Sequence, residues 1–307
     1  MAAGIKLVLT PKEKDLGEMT VRRVLPSSKL KMVGPFIFFD HMGPVDFPPG
    51  KGIEVRPHPH VCLSTVTYLF EGAMLHRDTV GTEIEIRPGA VNWMTAGKGI
   101  SHSERSPECL RSAGHRAHGI QTWVALPKSH EECAPRFDHH PADTLPELNQ
   151  DGLNIRMIAG EGFGMASPVE FPHPIFYAAV ETETGGALSL PEEVEERCAY
   201  VVTGSMSIDG ISYNEGQMVV FETGGEPELQ IAPDSRVMLA GGGAMDGRRW
   251  IEWNFVASSP ERIEQAKTDW RASISGNWTD TPFAMPPNEN EYIPLPGDPE
   301  ADAPAGS

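Results

Sequence analysis

From Thr20 to about Thr122 the apolar positions fall in short β-branched or aromatic runs separated by turn residues. The runs are Pro35-Phe-Ile-Phe-Phe39, Ser64-Thr-Val-Thr-Tyr-Leu-Phe70, Glu83-Ile-Glu-Ile86, Val91-Asn-Trp-Met94 and Gly119-Ile-Gln-Thr-Trp-Val124. With Gly72, Gly81, Gly89 and Gly97 as punctuation, this pattern predicts a β-sandwich or barrel closed by hairpins. A second β-rich stretch, from about Asn154 to Leu239, repeats the first. Tyr68-x-x-x-Gly72 is matched by Tyr200-x-x-x-Gly204, and Gly89-Ala-Val-Asn-Trp-Met94 by Gly216-Gln-Met-Val-Val-Phe221. One β fold used twice is therefore expected. Between the two, residues 127–148 carry Pro127, Pro135, Pro141 and Pro146 amid acidic residues and read as a linker.

The one clear helical pattern runs from Ser258 to Trp270. It has a serine cap, Pro260 in the first turn, Glu261 near the N-terminus, and Ile263, Ala266 and Trp270 on one face. This helix is expected to pack on the second sheet. Beyond about Pro286 the chain becomes rich in Pro, Glu, Asp and Asn, which predicts a mobile or surface-hugging tail.

Composition sharpens the picture in three ways. The 31 glycines and 28 prolines are spread without period, which favours short elements joined by turns over long helices. A net charge of −18, unbroken by any basic run, repels phosphate backbones and anionic membrane surfaces, so nucleic acid and membranes are poor partners. No basic leader with an apolar core opens the chain and no apolar run is long enough to span a bilayer, so a cytoplasmic protein is expected. Cys62, Cys109, Cys133 and Cys198 are far apart and form no C-x-x-C, which suits reduced thiols.

Candidate chemistry lies in the histidines. With 11 of them in the chain, His58-Pro59-His60 alone is near the chance expectation. A second i, i+2 pair, His102-Ser103-Glu104, falls in the same β region. In an extended strand such residues point to one face, so two strands can present four donors into one barrel. Three imidazoles and a carboxylate suit Fe, Mn, Ni, Cu or Zn rather than Ca or Mg, and leave coordination positions open. The competing reading is of surface or core histidines without a metal. His41, His76, His115, His118, His130, His139, His140 and His173 read as surface or hydrogen-bonded structural residues. The chain has neither a phosphate-loop spacing around Gly97-Lys-Gly99 nor a G-x-S-x-G elbow around Ser101 and Ser103.

Several segments together resemble the pirin family of bicupins. They are Phe39-Asp-His-Met-Gly-Pro44, Arg56-Pro-His-Pro-His60, Tyr68-Leu-Phe-Glu-Gly72, Leu75-His-Arg-Asp78, Arg87-Pro-Gly89, Asn92-Trp-Met-Thr-Ala-Gly97 and Gly99-Ile-Ser-His-Ser-Glu-Arg105. The likeness is dense over residues 20–140 and thins afterwards, ending on Trp253-Asn-Phe-Val-Ala-Ser-Ser259. It implies an all-β protein of the cupin superfamily: two tandem β-sandwich or β-barrel (double-stranded β-helix) domains with a short C-terminal helix. The implied organisation is a metal-binding cupin domain over residues 1–140, a metal-free cupin domain over 141–285 and a tail over 286–307. The glutamate usual in cupins is absent, since Ser64 or Thr65 stands there. The resemblance instead makes His58, His60, His102 and Glu104 the metal ligands. It implies one iron(II) per chain; another first-row divalent metal would fit the same donors. Offsets carried to the second repeat put Leu190, Glu192, Leu229 and Ile231 at the ligand positions, and His173 is the only histidine in that half.

Some pirin-like proteins are flavonol 2,3-dioxygenases, or quercetinases. The resemblance therefore implies an oxidoreductase in which the hydroxyl of a small aromatic enol meets the metal and O2, and the ring opens with loss of CO. Glu104 is the candidate proton acceptor, and Trp93 and Phe39 are read as pocket-lining or core residues. The alternative implied by the same family is a non-catalytic, iron-dependent redox-sensing regulator that binds a protein partner. A third possibility is a cupin binding or isomerase module with a structural metal. Turnover of O2 with an aromatic enol separates the first from the others.

Overall fold

The computed structural model describes residues 4–298, apart from 193 and 280. Two units are each built from a long sheet and a four-stranded sheet, with antiparallel pairing throughout. In the first unit the long sheet runs in the spatial order Arg136–His140, Val91–Thr95, Leu63–Glu71, His115–Ala125, Phe36–Phe47, Thr20–Leu25, Lys12–Asp15. Its short sheet has the order Glu54–His60, Ile100–Arg105, Met74–Asp78, Glu83–Ile86.

The second unit repeats this order, with one further short strand, Met165–Ala166, beside Leu153–Gly162. Its Glu196–Thr203 and Met218–Phe221 stand where Leu63–Glu71 and Val91–Thr95 stand in the first, and Gly186–Ser189 and Glu228–Ile231 stand where Glu54–His60 and Ile100–Arg105 do. The glycines that suggested the repeat follow suit. Gly72 and Gly204 both have positive φ (84° and 72°), and a Cβ on Gly72 would lie 2.5 Å from the Arg116 carbonyl oxygen. Each marks the same sharp exit from a central strand, a turn that a side chain would obstruct.

Alternation along the central strand explains why it is buried on both faces. Val66, Tyr68 and Phe70 point into the seam between the units, whereas Leu63, Thr65, Thr67 and Leu69 line the interior of the first barrel. In the seam one apolar cluster unites Phe36, Phe39 and Trp93 with Tyr177, Tyr200 and Met238. Ring pairs Phe36–Tyr177 and Phe39–Tyr200 cross it at 5.3 and 4.8 Å. Trp93 and Phe39 are thus core residues and line no pocket beside the histidines.

Three sequence expectations are corrected. The stretch 127–148 is not a plain linker: Arg136–His140 pairs with Val91–Thr95 as the edge strand of the first long sheet. Its flanking prolines, Pro135 and Pro141, are tolerated because an edge strand needs no donor on its outer side. The helix begins at Pro260 as expected, with Ser259 accepting from the Arg262 amide at 3.3 Å, but it continues to Ser275. It also packs on the first unit, not the second: Ile263, Ala266 and Trp270 meet Val61, Cys62, Phe255 and Phe283. The preceding hairpin, Trp250–Glu252 with Phe255–Ala257, brings it there through a Val61–Phe255 bridge. Ile5–Leu9, in contrast, leaves the first unit and pairs with Met218–Phe221 as the edge of the second long sheet. All four cysteines are free, and no helix among the described residues is long and apolar enough to cross a membrane.

A polar chain is buried in the seam. His41 Nδ1 lies 2.9 Å from the Tyr200 hydroxyl, His41 Nε2 lies 2.8 Å from His118 Nε2, and Arg22 donates to the same His41 nitrogen at 3.1 Å. Burial, helped by Arg22, pushes His41 down to about 2, and burial with the nearby Arg236 pushes His118 down to about 4. Unfolded, both rings take a proton near pH 6.5, so below that pH the unfolded chain binds more protons than the folded one. Stability is then full above about pH 6.5 and falls as pH drops towards the folded values, by at most about 1.4 kcal/mol per pH unit for each ring. Urea midpoints are expected to be level from pH 8 to 7 and to decline from pH 6.5 to 4.5, less steeply in His41→Gln.

Candidate metal centre

Two neighbouring strands of the first short sheet bring the expected donors together. His58 and His60 alternate along Glu54–His60, and His102 lies opposite His58 on Ile100–Arg105. All three rings are buried in the barrel, with centroids 4.3 Å (His58–His102), 4.9 Å (His58–His60) and 5.0 Å (His60–His102) apart. One ligand atom from each lies within 4.8 Å of the others. A register shift follows His102, so that Glu104 pairs with Val55 rather than continuing the ladder evenly. Glu104 groups with His102 and His76 instead of with all three other expected ligands.

Hydrogen bonds decide which nitrogens are available. His58 Nδ1 lies 2.9 Å from the Arg56 carbonyl oxygen and His60 Nδ1 lies 2.9 Å from that of Asn254. A carbonyl only accepts, so both Nδ1 atoms donate and each neutral ring keeps its lone pair on Nε2. His102 Nε2 is buried with no hydrogen-bond partner among the described residues, which is costly for a polar atom unless something else occupies it. Burial holds all three rings below the ordinary histidine range, and His60 and His102 well below it. Three neutral imidazoles, one with an orphaned nitrogen, are a donor set that fits a first-row divalent metal.

The surroundings were only partly visible in the sequence. Gln121 Nε2 donates to Glu104 Oε1 at 2.6 Å, and Thr67 donates to the same oxygen at 3.5 Å. Trp123 meets His60 edge-on at 5.0 Å, and Phe137 stacks on His76 at 4.5 Å. The alternation of Gln121 with Trp123 was a usable signal, since both fall on the barrel side of His115–Ala125. Phe137 lies in the stretch whose composition reads as a linker, and His76 stands alone in the sequence.

The back of the site is closed by the C-terminal segment. Glu289 accepts from Ser103 Oγ at 2.7 Å, from Arg105 Nε at 2.9 Å and Nη2 at 2.6 Å, and from Arg77 Nη1 at 3.3 Å. Ser101 donates to the Ala284 carbonyl, and the Ile293 amide donates to that of Pro57 at 2.8 Å. Up to residue 298 the expected tail is therefore a strap across the outer face of the histidine-bearing strands; residues 299–307 lie outside the described ones. At the equivalent place in the second unit, Leu188, Leu190, Leu229 and Ile231 fill the barrel. No candidate metal group occurs there among the described residues.

The family model "Pirin" matches residues 18–124, and "Pirin C-terminal cupin domain" matches residues 177–275. The chain belongs to the pirin family. A relative named "Pirin-like protein" from Caulobacter vibrioides is 50% identical over 297 residues, covering 95% of this chain and 99% of its own. Pirin of Rattus norvegicus is 33% identical over 62% of this chain and 64% of its own. Among solved structures, quercetin 2,3-dioxygenase from Acinetobacter baumannii superposes with a TM-score of 0.86 at 32% identity, covering 94% of each chain. This pirin-family protein is accordingly a two-domain cupin with its histidine site in the N-terminal unit.

Proposed function

We propose that this pirin-family protein is an iron-dependent dioxygenase of flavonol-type aromatic enols, with His58, His60, His102 and Glu104 as its metal ligands. The observation that carries the reading is the buried trio of neutral imidazoles, with His102 Nε2 left without a hydrogen-bond partner among the described residues. The quercetin 2,3-dioxygenase with which the whole fold superposes supports the substrate class. When bound, the iron would supply open coordination positions and redox chemistry towards O2. The chain's own groups do the rest. Glu104 is the one carboxylate among the four ligands proposed and takes the proton of the enol hydroxyl. Gln121 holds its Oε1 in place while the other oxygen stays available. Trp123 and Phe137 offer aromatic walls on either side of the histidines.

The test is O2 uptake and CO release by iron-loaded protein with quercetin, run beside Glu104→Gln. Quercetin-dependent uptake is expected, lowered about 10²–10⁴-fold in the variant at equal iron content. Iron-replete protein that consumes no O2 with quercetin would refute the activity; unchanged turnover in Glu104→Gln would refute the role of the carboxylate alone.

A further inference from the structure

His102 differs from the other two histidines in how its ring is held. His58 and His60 lean on backbone carbonyls, whereas His102 Nδ1 faces another side chain, His76 Nδ1, at 3.4 Å. His76 Nε2 in turn lies 3.0 Å from Asp78 Oδ2. Both residues are buried, and they stand on Met74–Asp78, the strand paired with Ile100–Arg105, with Asp78 opposite His102 and His76 opposite Glu104. Asp78 is itself pinned, because its Oδ1 accepts from the amides of Val80 and Thr82 at 3.0 Å each.

With His76 as the neutral ring, following the protons along this row gives one answer. A carboxylate only accepts, so His76 Nε2 carries hydrogen and, in the neutral ring, His76 Nδ1 offers a lone pair. His102 Nδ1 must then donate to it, which leaves the lone pair of His102 on Nε2, the nitrogen with no hydrogen-bond partner among the described residues, on the ring that groups with His58 and His60. We propose that Asp78 and His76 are positioning residues that set the tautomer of His102 and so make its Nε2 a metal donor. The inference rests on the reading of His102 as a ligand, and extends it to two residues outside the four ligands proposed. Carboxylate-to-histidine contacts behind a ligating imidazole act in this way on metal sites in general.

The pinning of Asp78 makes a precise test available. In Asp78→Asn the Val80 and Thr82 amides keep the carbonyl oxygen where Oδ1 was, so the amide nitrogen replaces Oδ2 and donates to His76 Nε2. The His76 hydrogen then moves to Nδ1, His102 Nδ1 becomes the acceptor, and the hydrogen of His102 moves to Nε2, where it blocks ligation. His76→Gln has the opposite expectation, since its carbonyl can accept from His102 while its amide donates to Asp78.

The ring protonation is read by ¹⁵N NMR of the imidazoles in metal-free protein, and zinc affinity by chelator competition. Expected are hydrogen on His102 Nδ1 in the unaltered chain and on Nε2 in Asp78→Asn, zinc affinity lowered about 10–100-fold in Asp78→Asn, and affinity near the unaltered value in His76→Gln. Hydrogen on His102 Nε2 in the unaltered chain would overturn the proposal whatever the variants do. So would zinc affinity in folded Asp78→Asn equal to the starting value. His102→Ala run in parallel separates the two readings: if it keeps full zinc affinity, the ligand assignment fails, and if it loses affinity while Asp78→Asn does not, only the relay fails.

Discussion

His102→Ala is expected to leave a protein that folds but does not retain its metal, and with it to abolish any quercetin-dependent O2 uptake. His102 is the shared member of both clusters of possible ligand atoms, one with His58 and His60 and the other with His76 and Glu104. Its removal leaves two imidazoles on one strand and takes away the donor that stands across from them. The loss should exceed the roughly 10–100-fold that follows removal of an outer partner. Metal content after dialysis against a chelator reads it directly, and a variant holding a full equivalent would sink the ligand assignment. Burial keeps the three rings neutral below the usual histidine range, so the unaltered chain is expected to hold its metal at pH 6, where exposed histidines would already be releasing theirs.

The largest loss of stability is expected from Trp270→Ala. Trp270 is fully buried and packs against Trp278 and Phe283 at centroid distances of 5.2 and 5.6 Å, and its indole Nε1 donates to the Ile293 carbonyl at 3.1 Å. Truncation opens a cavity and leaves a half-buried acceptor without its donor, for a cost of about 3–5 kcal/mol. A guanidinium unfolding curve tests this; a shift below about 1 kcal/mol would show that the strap closes over the gap. Because Ile293 belongs to the segment that carries Glu289, the same variant should also loosen the cover on Ser103 and Arg105.

What was legible in the sequence was what local pattern carries. Alternation in strands put His58 with His60, and His102 with Glu104, on common faces, and repeated Tyr and Gly positions exposed the duplicated fold. The helix was legible from its serine cap and Pro260, and its end from Gly276, since nothing between Trp270 and that glycine breaks the pattern. What stayed hidden depends on pairings distant in the chain. Nothing within Leu75-His-Arg-Asp78 announces that His76 will stand beside His102, and nothing in Ile5–Leu9 names Met218–Phe221 as its neighbour. The helix was placed on the wrong unit for the same reason: its apolar face specifies that it packs, not on what. Prolines around Arg136–His140 suggested irregular chain because edge strands and linkers share that composition.

The two ends of the chain serve the opposite halves of the molecule. The strand Ile5–Leu9 completes the second unit, and the strap that carries Glu289 braces the histidine-bearing one. During synthesis the strand Ile5–Leu9 emerges long before Met218–Phe221, its partner, has been made. Removing Ile5–Leu9 therefore acts on the second unit, and removing the segment that carries Glu289 acts on the histidine-bearing strands. Neither half, cut at the middle of the sequence, would carry all of its own sheet and cover.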